Sequence, residues 1–189
     1  MTPPSNHRLV LGAVTRDLPV VAVAPGVHIA VLNILGDTEL VETAATLLAG
    51  RLATVDYDCL VTPEAKSIPL AHALAVRTGA PYAVLRKSWK SYMGEALCAT
   101  TRSITTGAEQ TLYLDAKDRA LVSGRRVVLV DDVVSTGSTI AAMTDLMAQA
   151  GAEVVVRAAI CTEGDAEDEA IALAHLPVFS EPGTTDSPP

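Results

Sequence analysis

The sequence predicts an α/β fold with a central, mostly parallel sheet and helices on both of its faces. Short, continuous apolar runs recur along the chain, as is typical of strands that are buried on both faces. Segments with apolar residues at helical spacing lie between these runs. Acidic residues follow three of the predicted strands, at the sheet edge where ligands of such folds bind. A length of 189 residues suits one domain with a substantial core.

The two ends of the chain, residues 1–7 and 181–189, are rich in Pro, Ser and Thr, and we predict that they are flexible tails. A single domain is therefore expected over residues 8–180. Its first part, residues 8–36, has short apolar runs that are broken by turn residues such as Pro25-Gly26. This part is predicted to form irregular strands and loops.

Helices and strands are predicted to alternate along the rest of the chain. Asp37 or Thr38 is a suitable N-cap for the first helix, while Gly79 and Gly151 follow the second and third helices as helix-ending glycines do. The predicted helices cover residues 38–53, 67–78 and 138–150. The predicted strands cover residues 57–62, 82–85, 126–130 and 153–160, and a hairpin is predicted from 99–104 and 111–114.

Two adjacent carboxylates, Asp131 and Asp132, follow the apolar run that ends at Val130. Carboxylates repel a phosphate but accept hydrogen bonds from sugar hydroxyls. The uncharged segment 135–139 offers hydroxyls and backbone N–H groups to an anion at a helix N-terminus, and Gly137 permits a close backbone approach. A sugar phosphate matches both halves. The alternative is a buried strand followed by an ordinary capped helix.

The run from Val127 to Thr139 resembles the signature with which type I phosphoribosyltransferases bind phosphoribosyl pyrophosphate (PRPP). The resemblance implies the type I phosphoribosyltransferase fold, with a small N-terminal hood contributed mainly by residues 8–36. It also implies that the ribose hydroxyls lie on the carboxylates and that the phosphate lies in the loop. The residues assigned to PRPP are Asp131, Asp132, Val133, Val134, Ser135, Thr136, Gly137, Ser138 and Thr139.

A second anion site is predicted where the strand ending near Pro63 meets the next helix, because the cation Lys66 stands there beside N-terminal amides. The segment resembles the pyrophosphate loop of adenine-type enzymes, with Lys66 where arginine is common and Ser67 where glycine is common. The resemblance implies an unusual backbone geometry and assigns pyrophosphate to Glu64, Ala65, Lys66 and Ser67. The alternative is a surface lysine at the start of a helix.

The segment from Arg86 to Lys90 concentrates basic charge in an acidic chain. It resembles the R-K-x-x-K segment that leads into the mobile catalytic loop of adenine-type enzymes. The resemblance implies that Arg86, Lys87 and Lys90 neutralise the departing pyrophosphate while the loop closes over the site. One alternative is a solvated basic loop with an exposed Trp, and another is that Trp89 and Tyr92 are anchors of a protein contact.

The run Pro25-Gly26-Val27-His28-Ile29 resembles the hood segment of adenine phosphoribosyltransferases, in which a Phe at the place of Ile29 packs on the base. Those enzymes also have a glutamate, thought to assist base protonation, where this chain has Thr105. Both departures open the choice of base to adenine, hypoxanthine or a related heterocycle. The residues assigned to the base are Val27, His28, Ile29, Val134 and Glu163.

The family resemblance implies transfer of phosphoribosyl from PRPP to a nucleobase, which gives a nucleoside monophosphate and pyrophosphate. Catalysis is assigned to Asp131, Asp132, Arg86 and Lys87. Mg²⁺, which binds through substrate phosphates and few carboxylates, is assigned to Asp131 and Asp132. A homodimer is also implied. Two alternatives are a PRPP-sensing regulator without catalysis, with which Thr105 is compatible, and PRPP synthesis, which normally needs a longer, two-lobed chain.

Charge and composition bear on partners and location. The net charge of -8 argues against a surface that binds nucleic acid or a membrane, so neither partner is expected. Cys59, Cys98 and Cys161 lie far apart without metal-ligand spacing, which predicts reduced thiols. The sequence shows no signal-peptide pattern and no apolar stretch of membrane-spanning length, and we therefore expect a cytoplasmic protein.

Overall fold

The computed structural model describes residues 3–102, 109–166 and 170–180, and within these ranges the chain forms eleven strands in three sheets and four α-helices. The strands are β1 (Asn6–Leu11), β2 (Val14–Ala24), β3 (Val27–Ala30), β4 (Cys59–Pro63), β5 (Tyr82–Leu85), β6 (Leu97–Arg102), β7 (Glu109–Leu114), β8 (Arg126–Val134), β9 (Glu153–Glu163), β10 (Ile171–Leu176) and β11 (Val178–Ser180). The helices are α1 (Thr38–Leu52), α2 (Ile68–Thr78), α3 (Arg119–Val122) and α4 (Ser138–Gln149). Short 3₁₀ turns cover Ser91–Met93, Ala116–Asp118 and Gly164–Ala166.

Five parallel strands form the central sheet in the order β10-β9-β8-β4-β5, which confirms the predicted architecture. β8 lies in the middle. Its residue Val127 pairs with Cys59 of β4 on one side, and Asp131 pairs with Ala159 of β9 on the other. Because the strands are parallel, the carboxyl ends of β4, β8 and β9 meet at one edge of the sheet.

The two faces of the sheet are covered by different helices. Val128 and Val130 of β8 pack in a core cluster with residues of α1 and α2, whereas Val127 and Leu129 pack in a second cluster with residues of α4. All four side chains are completely buried. Burial on both faces is the reason that β8 reads as a continuous apolar run.

The hood is a four-stranded antiparallel sheet in the order β1-β2-β3-β11. This sheet is more regular than the broken apolar runs of residues 8–36 predict. Its ladder of hydrogen bonds pairs residues whose sequence shows little hydrophobic periodicity. Pairing begins with Asn6 opposite Pro19, so the paired chain starts at Asn6 rather than at the predicted boundary, Arg8. The predicted tail at 181–189 lies outside the described residues.

The predicted hairpin is present, since β6 and β7 pair from Leu97 with Leu114 to Arg102 with Glu109. Its connection, which includes Thr105, lies outside the described residues. The hairpin packs against α4 and forms its own two-stranded sheet, and an antiparallel bridge between Arg86 and Tyr113 links it to the residue that follows β5.

Two strands of the central sheet are longer than the sequence predicts. β8 continues to Val134 and β9 to Glu163, because the ladder between them extends to the pair Val134 and Thr162. The acid pair therefore lies inside the last part of a strand and not in the loop after it. β10 and β11 are not among the predicted strands, because their runs of six and three residues are short and show no clear periodicity.

The helix ends follow the predicted capping signals. The side chain of Asp37 accepts a hydrogen bond from the backbone N–H of Leu40 at 3.1 Å and so caps α1. Gly79 ends α2 with a φ of 73°, in the left-handed region that glycine adopts without steric cost. Among the described residues, no helix is long and apolar enough to span a membrane.

Candidate active site

The acid pair lies near the carboxyl end of β8 and is almost completely buried, with Asp131 7% and Asp132 9% exposed. The start of α2 lies beside it. Ser67 Oγ donates a hydrogen bond to Asp131 Oδ1 at 2.5 Å and accepts one from the backbone N–H of Asp132 at 3.1 Å. The same N–H donates to Asp131 Oδ1 at 2.9 Å. The fold thus joins two segments that are distant in the sequence into one polar centre.

Two neighbouring carboxylates in a buried site oppose each other's ionisation. Burial, and then the negative charge of Asp132, raise the pKa of Asp131 to about 7. The hydrogen bond from Ser67 acts in the opposite direction, because it stabilises the charged form. A ligand that brings hydroxyl donors or positive charge therefore finds a centre that gains from binding it.

Lys66 provides the nearest positive charge to the pair. Its Nζ lies 3.6 Å from Asp132 Oδ2 and donates to the backbone oxygen of Leu32 at 3.2 Å. Asp132 Oδ2 is buried and takes no hydrogen bond from any described residue. This oxygen is therefore available to a ligand hydroxyl or a cation.

The uncharged loop follows directly after β8 and leads into α4. Gly137 is the N-cap of α4 and has a φ of 74°, a left-handed conformation that favours glycine. A cavity of about 80 Å³ is lined by Asp131 and by residues 133–140. The N-terminal N–H groups of a helix have no acceptor within the helix, so this cavity suits a phosphate. Eight of the nine residues assigned to PRPP, all except Asp132, line this cavity, and their assignment stays a prediction.

Glu64 is the centre of a second charged group. Its Oε2 accepts a hydrogen bond from the backbone N–H of Lys87 at 2.9 Å and lies 3.2 Å from Arg86 Nε. The N–H of Lys87, and then Arg86, lower the pKa of Glu64, so this side chain is a carboxylate at neutral pH. The peptide bond between Glu64 and Ala65 is cis, which agrees with the unusual geometry that the resemblance implies.

The basic segment contacts Glu64 through Arg86 and Lys87, and its contacts are with Glu64 rather than with the acid pair. Besides its ion pair, Arg86 donates to the hydroxyl of Tyr92 at 3.2 Å. Among the described residues, none forms an ion pair or hydrogen bond with the ammonium groups of Lys87 and Lys90, which are exposed. Nor does any described contact join these three cations to Asp131. Their assignment to pyrophosphate therefore stays a prediction.

A larger cavity, of about 910 Å³, lies beside the uncharged loop. Ser135, Thr136 and Gly137 line one part of it, and Glu163, which is 8% exposed, lies at the end of β9. Its size is within the range of small-molecule sites. The structure thus places Glu163 next to the uncharged loop, which a base-binding role requires, and that role stays a prediction.

Two residues of β11, Val178 and Ser180, also line this cavity. They pair with Ile29 and Val27 of β3, and residues that pair directly across a ladder have their side chains on the same face of the sheet. Sequence reasoning missed Val178 and Ser180, because only the register of the hood sheet connects the end of the chain to its beginning.

The other predicted base residues are placed differently. His28 lies between Val27 and Ile29 on β3, so its side chain faces the opposite side of the sheet. Its Nδ1 is buried and has no hydrogen-bond partner among the described residues. Val134 is 2% exposed and lines the smaller, phosphate-sized cavity rather than the larger one.

Comparisons with known proteins agree with this geometry. A family model described as phosphoribosyl transferase domain matches residues 33–175. Two relatives named hypoxanthine/guanine phosphoribosyltransferase, from Methanosarcina acetivorans and Methanococcus voltae, are 36% and 34% identical over 62% and 70% of this chain. The chain spans 58% and 66% of their lengths, which is less than two thirds of each.

A solved structure shows the same fold. The adenine phosphoribosyltransferase of Thermoanaerobacter pseudethanolicus is 25% identical to this chain and superposes with a TM-score of 0.65. The superposition covers 75% of this chain and 84% of that one. The two chains therefore share a fold over three quarters of this chain.

Proposed function

This chain belongs to the phosphoribosyl transferase family, and from that premise we propose that it transfers the phosphoribosyl group of PRPP to a purine base. The products are the nucleoside monophosphate and pyrophosphate. The observation that carries the proposal is the buried acid pair of β8, which stands beside an uncharged loop at the N-terminus of α4.

The acid pair and the loop divide the binding of PRPP between them. Asp131 and Asp132 accept hydrogen bonds from the ribose hydroxyls, while residues 135–139 bind the phosphate through N–H groups and hydroxyls. Residues that hold the sugar in this way restrain its geometry, which lowers the entropic part of the barrier.

The reaction breaks the bond between the anomeric carbon and a pyrophosphate oxygen, and the pyrophosphate leaves with the electron pair. A nitrogen of the base forms the new bond to that carbon, through a transition state with oxocarbenium character, and the purine loses one N–H proton to solvent or to the pyrophosphate. The protein's task is to neutralise the charge that develops on the leaving group. Lys66 is the cation closest to the acid pair, and Arg86, Lys87 and Lys90 are proposed to approach from the segment around Glu64.

Mg²⁺ is proposed as the metal that accompanies PRPP. The available oxygen of Asp132 and the adjacent Asp131 are hard donors that fit it, and no group of three or more acidic, His or Cys ligands exists among the described residues. A site of two carboxylates suits an ion that is held largely by substrate phosphates. When bound, the ion neutralises charge on the pyrophosphate.

We propose hypoxanthine or guanine as the preferred base, with adenine as the competing one. The relatives with the names given above act on hypoxanthine and guanine by those names, and Glu163 can accept a hydrogen bond from an N–H of a purine. The departures from the adenine-type pattern at Ile29 and Thr105 favour the same choice.

The proposal is tested by incubating the protein with PRPP, Mg²⁺ and hypoxanthine, guanine or adenine in separate reactions, while pyrophosphate release is measured. We expect release with at least one purine, and none from a variant with Asp131→Asn and Asp132→Asn. Tight PRPP binding without release from any base would contradict transfer and would favour a regulator that senses PRPP.

A homodimer and a cytoplasmic location also remain proposals. The exposed side chains of Trp89 and Tyr92, 52% and 67% exposed, are suitable anchors for a second copy beside Arg86. Sedimentation velocity tests this, since a monomeric mass at all concentrations would contradict it. All three cysteines are free thiols, which suits a reducing compartment.

A further inference from the structure

Ser67 stands at the N-cap of α2, where a serine side chain ordinarily accepts a hydrogen bond from its own helix. Here the hydroxyl forms no such cap. It is 1% exposed and is turned towards the acid pair of β8. The Ser67 side chain therefore contacts β8 instead of capping its own helix.

The hydroxyl can donate one hydrogen bond, and the distances show which carboxylate accepts it. Asp131 Oδ1 lies 2.5 Å from Ser67 Oγ, whereas Asp132 Oδ1 lies 3.4 Å away. The hydroxyl oxygen in turn accepts the backbone N–H of Asp132 at 3.1 Å. Ser67 thus contacts the side chain of one acid and the main chain of the other.

We propose that Ser67 is a positioning residue for PRPP binding. Its hydroxyl holds the carboxylate of Asp131 in place and fixes the segment Glu64–Ser67, which is assigned to pyrophosphate, to the acid pair. The inference rests on the proposed function. The Ser67 hydroxyl, together with the ion pair between Lys66 and Asp132, joins Glu64–Ser67 to β8, so the distance between the pyrophosphate end and the ribose end of the donor depends in part on this hydroxyl. With Asp131 Oδ1 engaged, Asp132 Oδ2 remains for a ligand.

The test compares two buried hydroxyls. Ser67→Ala removes the hydroxyl with three polar neighbours, and Thr62→Val removes one on β4 that is also completely buried but has no hydrogen-bond partner. Calorimetric binding of PRPP with Mg²⁺ is measured for both variants and the wild type. Steady-state KM values for PRPP and for the base, and the thermal midpoint, are measured alongside.

We expect Ser67→Ala to weaken PRPP binding by about tenfold to a hundredfold, the range for loss of a hydrogen bond to a charged group. The KM for the base should stay within about twofold of the wild-type value, as no contact to the larger cavity is lost. Thr62→Val should leave both constants unchanged. A role in folding alone would instead lower the thermal midpoint and leave the KM for PRPP of the folded protein as it is.

PRPP affinity of Ser67→Ala within about twofold of wild type would overturn the inference. If this variant does not fold, Ser67→Gly removes the same hydroxyl at a φ of −81°, and the same loss is expected from it. Failure of the wild-type protein to bind PRPP would instead contradict the proposed function, so the two failures are distinguishable.

Discussion

Asp131 and Asp132 lower the stability of the folded chain as long as no ligand is bound to them. Each carboxylate loses its hydration on folding, and the two negative charges are adjacent. Ser67 and the backbone N–H of Asp132 offset part of this cost through the hydrogen bonds that they donate to Asp131. The remainder is relieved by a ligand, which is why such a pair is expected at a site rather than in a structural core.

The substitution Asp131→Asn should therefore stabilise the protein without ligand or metal. The folded pKa of Asp131 is raised above the unfolded value, so its contribution to stability is complete below the unfolded pKa and is lost as pH rises through about 7. Asn keeps the oxygen that accepts from Ser67 and carries no charge. We expect the thermal midpoint of the variant to exceed that of wild type by about 2–4 °C at about pH 8, which corresponds to ~1 kcal/mol.

Thermal unfolding in the presence of a chelator measures this difference. Below about pH 3 the two midpoints should converge, because Asp131 is then protonated in both the folded and the unfolded chain. A variant less stable than wild type at the higher pH would show that the carboxylate is stabilising, contrary to expectation. PRPP affinity should fall in the same variant, since a ribose hydroxyl loses a charged acceptor.

At the scale of elements, the hood is joined to the core by an ion pair at the start of α1. Arg16 of β2 donates to both oxygens of Asp37, through Nε at 2.7 Å and through a terminal nitrogen at 2.8 Å. Asp37 also caps α1. One carboxylate therefore fixes the beginning of the helix and the position of the hood strand relative to it.

Arg16→Gln should lower the free energy of unfolding at neutral pH, because it removes a bidentate pair that is only partly exposed. The pair lowers the folded pKa of Asp37 chiefly through the hydrogen bonds from Arg16. Its stabilisation is thus present above the unfolded pKa and is lost as pH falls through the folded one. Urea unfolding at neutral pH and below about pH 3 should show a difference that shrinks in acid.

Arg8→Gln is the matched control on the neighbouring strand. Arg8 pairs with Asp17 at 3.1 Å, but the side chains are 70% and 56% exposed. Such a pair contributes little, so this variant should unfold like wild type. Equal effects of both substitutions would mean that the contact with α1 has no special role.

At the scale of the whole molecule, the two ends of the described chain meet in the hood. β11 pairs with β3, and its Val178 and Ser180 face the cavity beside the phosphate loop. The last strand of the hood therefore lines the cavity proposed for the base, although it lies far from β3 in the sequence.

A chain that stops after Pro177 should bind the base more weakly. It lacks β11, so the larger cavity loses one wall and β3 loses a neighbour in the hood sheet. We expect the KM for the base to rise about tenfold, with a smaller change in PRPP affinity, because the acid pair and loop are untouched. Steady-state kinetics with each substrate varied in turn separate the two effects.

A chain that stops after Ser180 is the control, because it keeps β11 and its register with β3. Its KM for the base should match that of the full chain. Equal losses in both truncated chains, or a loss confined to PRPP, would contradict a role of β11 in base binding.

Local sequence patterns predict the alternation of strands and helices, a cap for α1 at Asp37 or Thr38, and the end of α2 at Gly79. They also predict the acid pair and the uncharged loop after it. These features depend on a few neighbouring residues, whose apolar periodicity, backbone conformation or charge is visible locally. The family resemblance of the PRPP segment belongs to the same class.

The contact of Ser67 with Asp131, the ion pair of Arg86 with Glu64 and the pairing of β11 with β3 are set by the folded chain and not by any local pattern. Strand order and register bring these residues together, and a shift of one residue in a ladder would turn each side chain to the other face. No local pattern encodes that choice, because it is set by the packing of the whole chain around the central sheet.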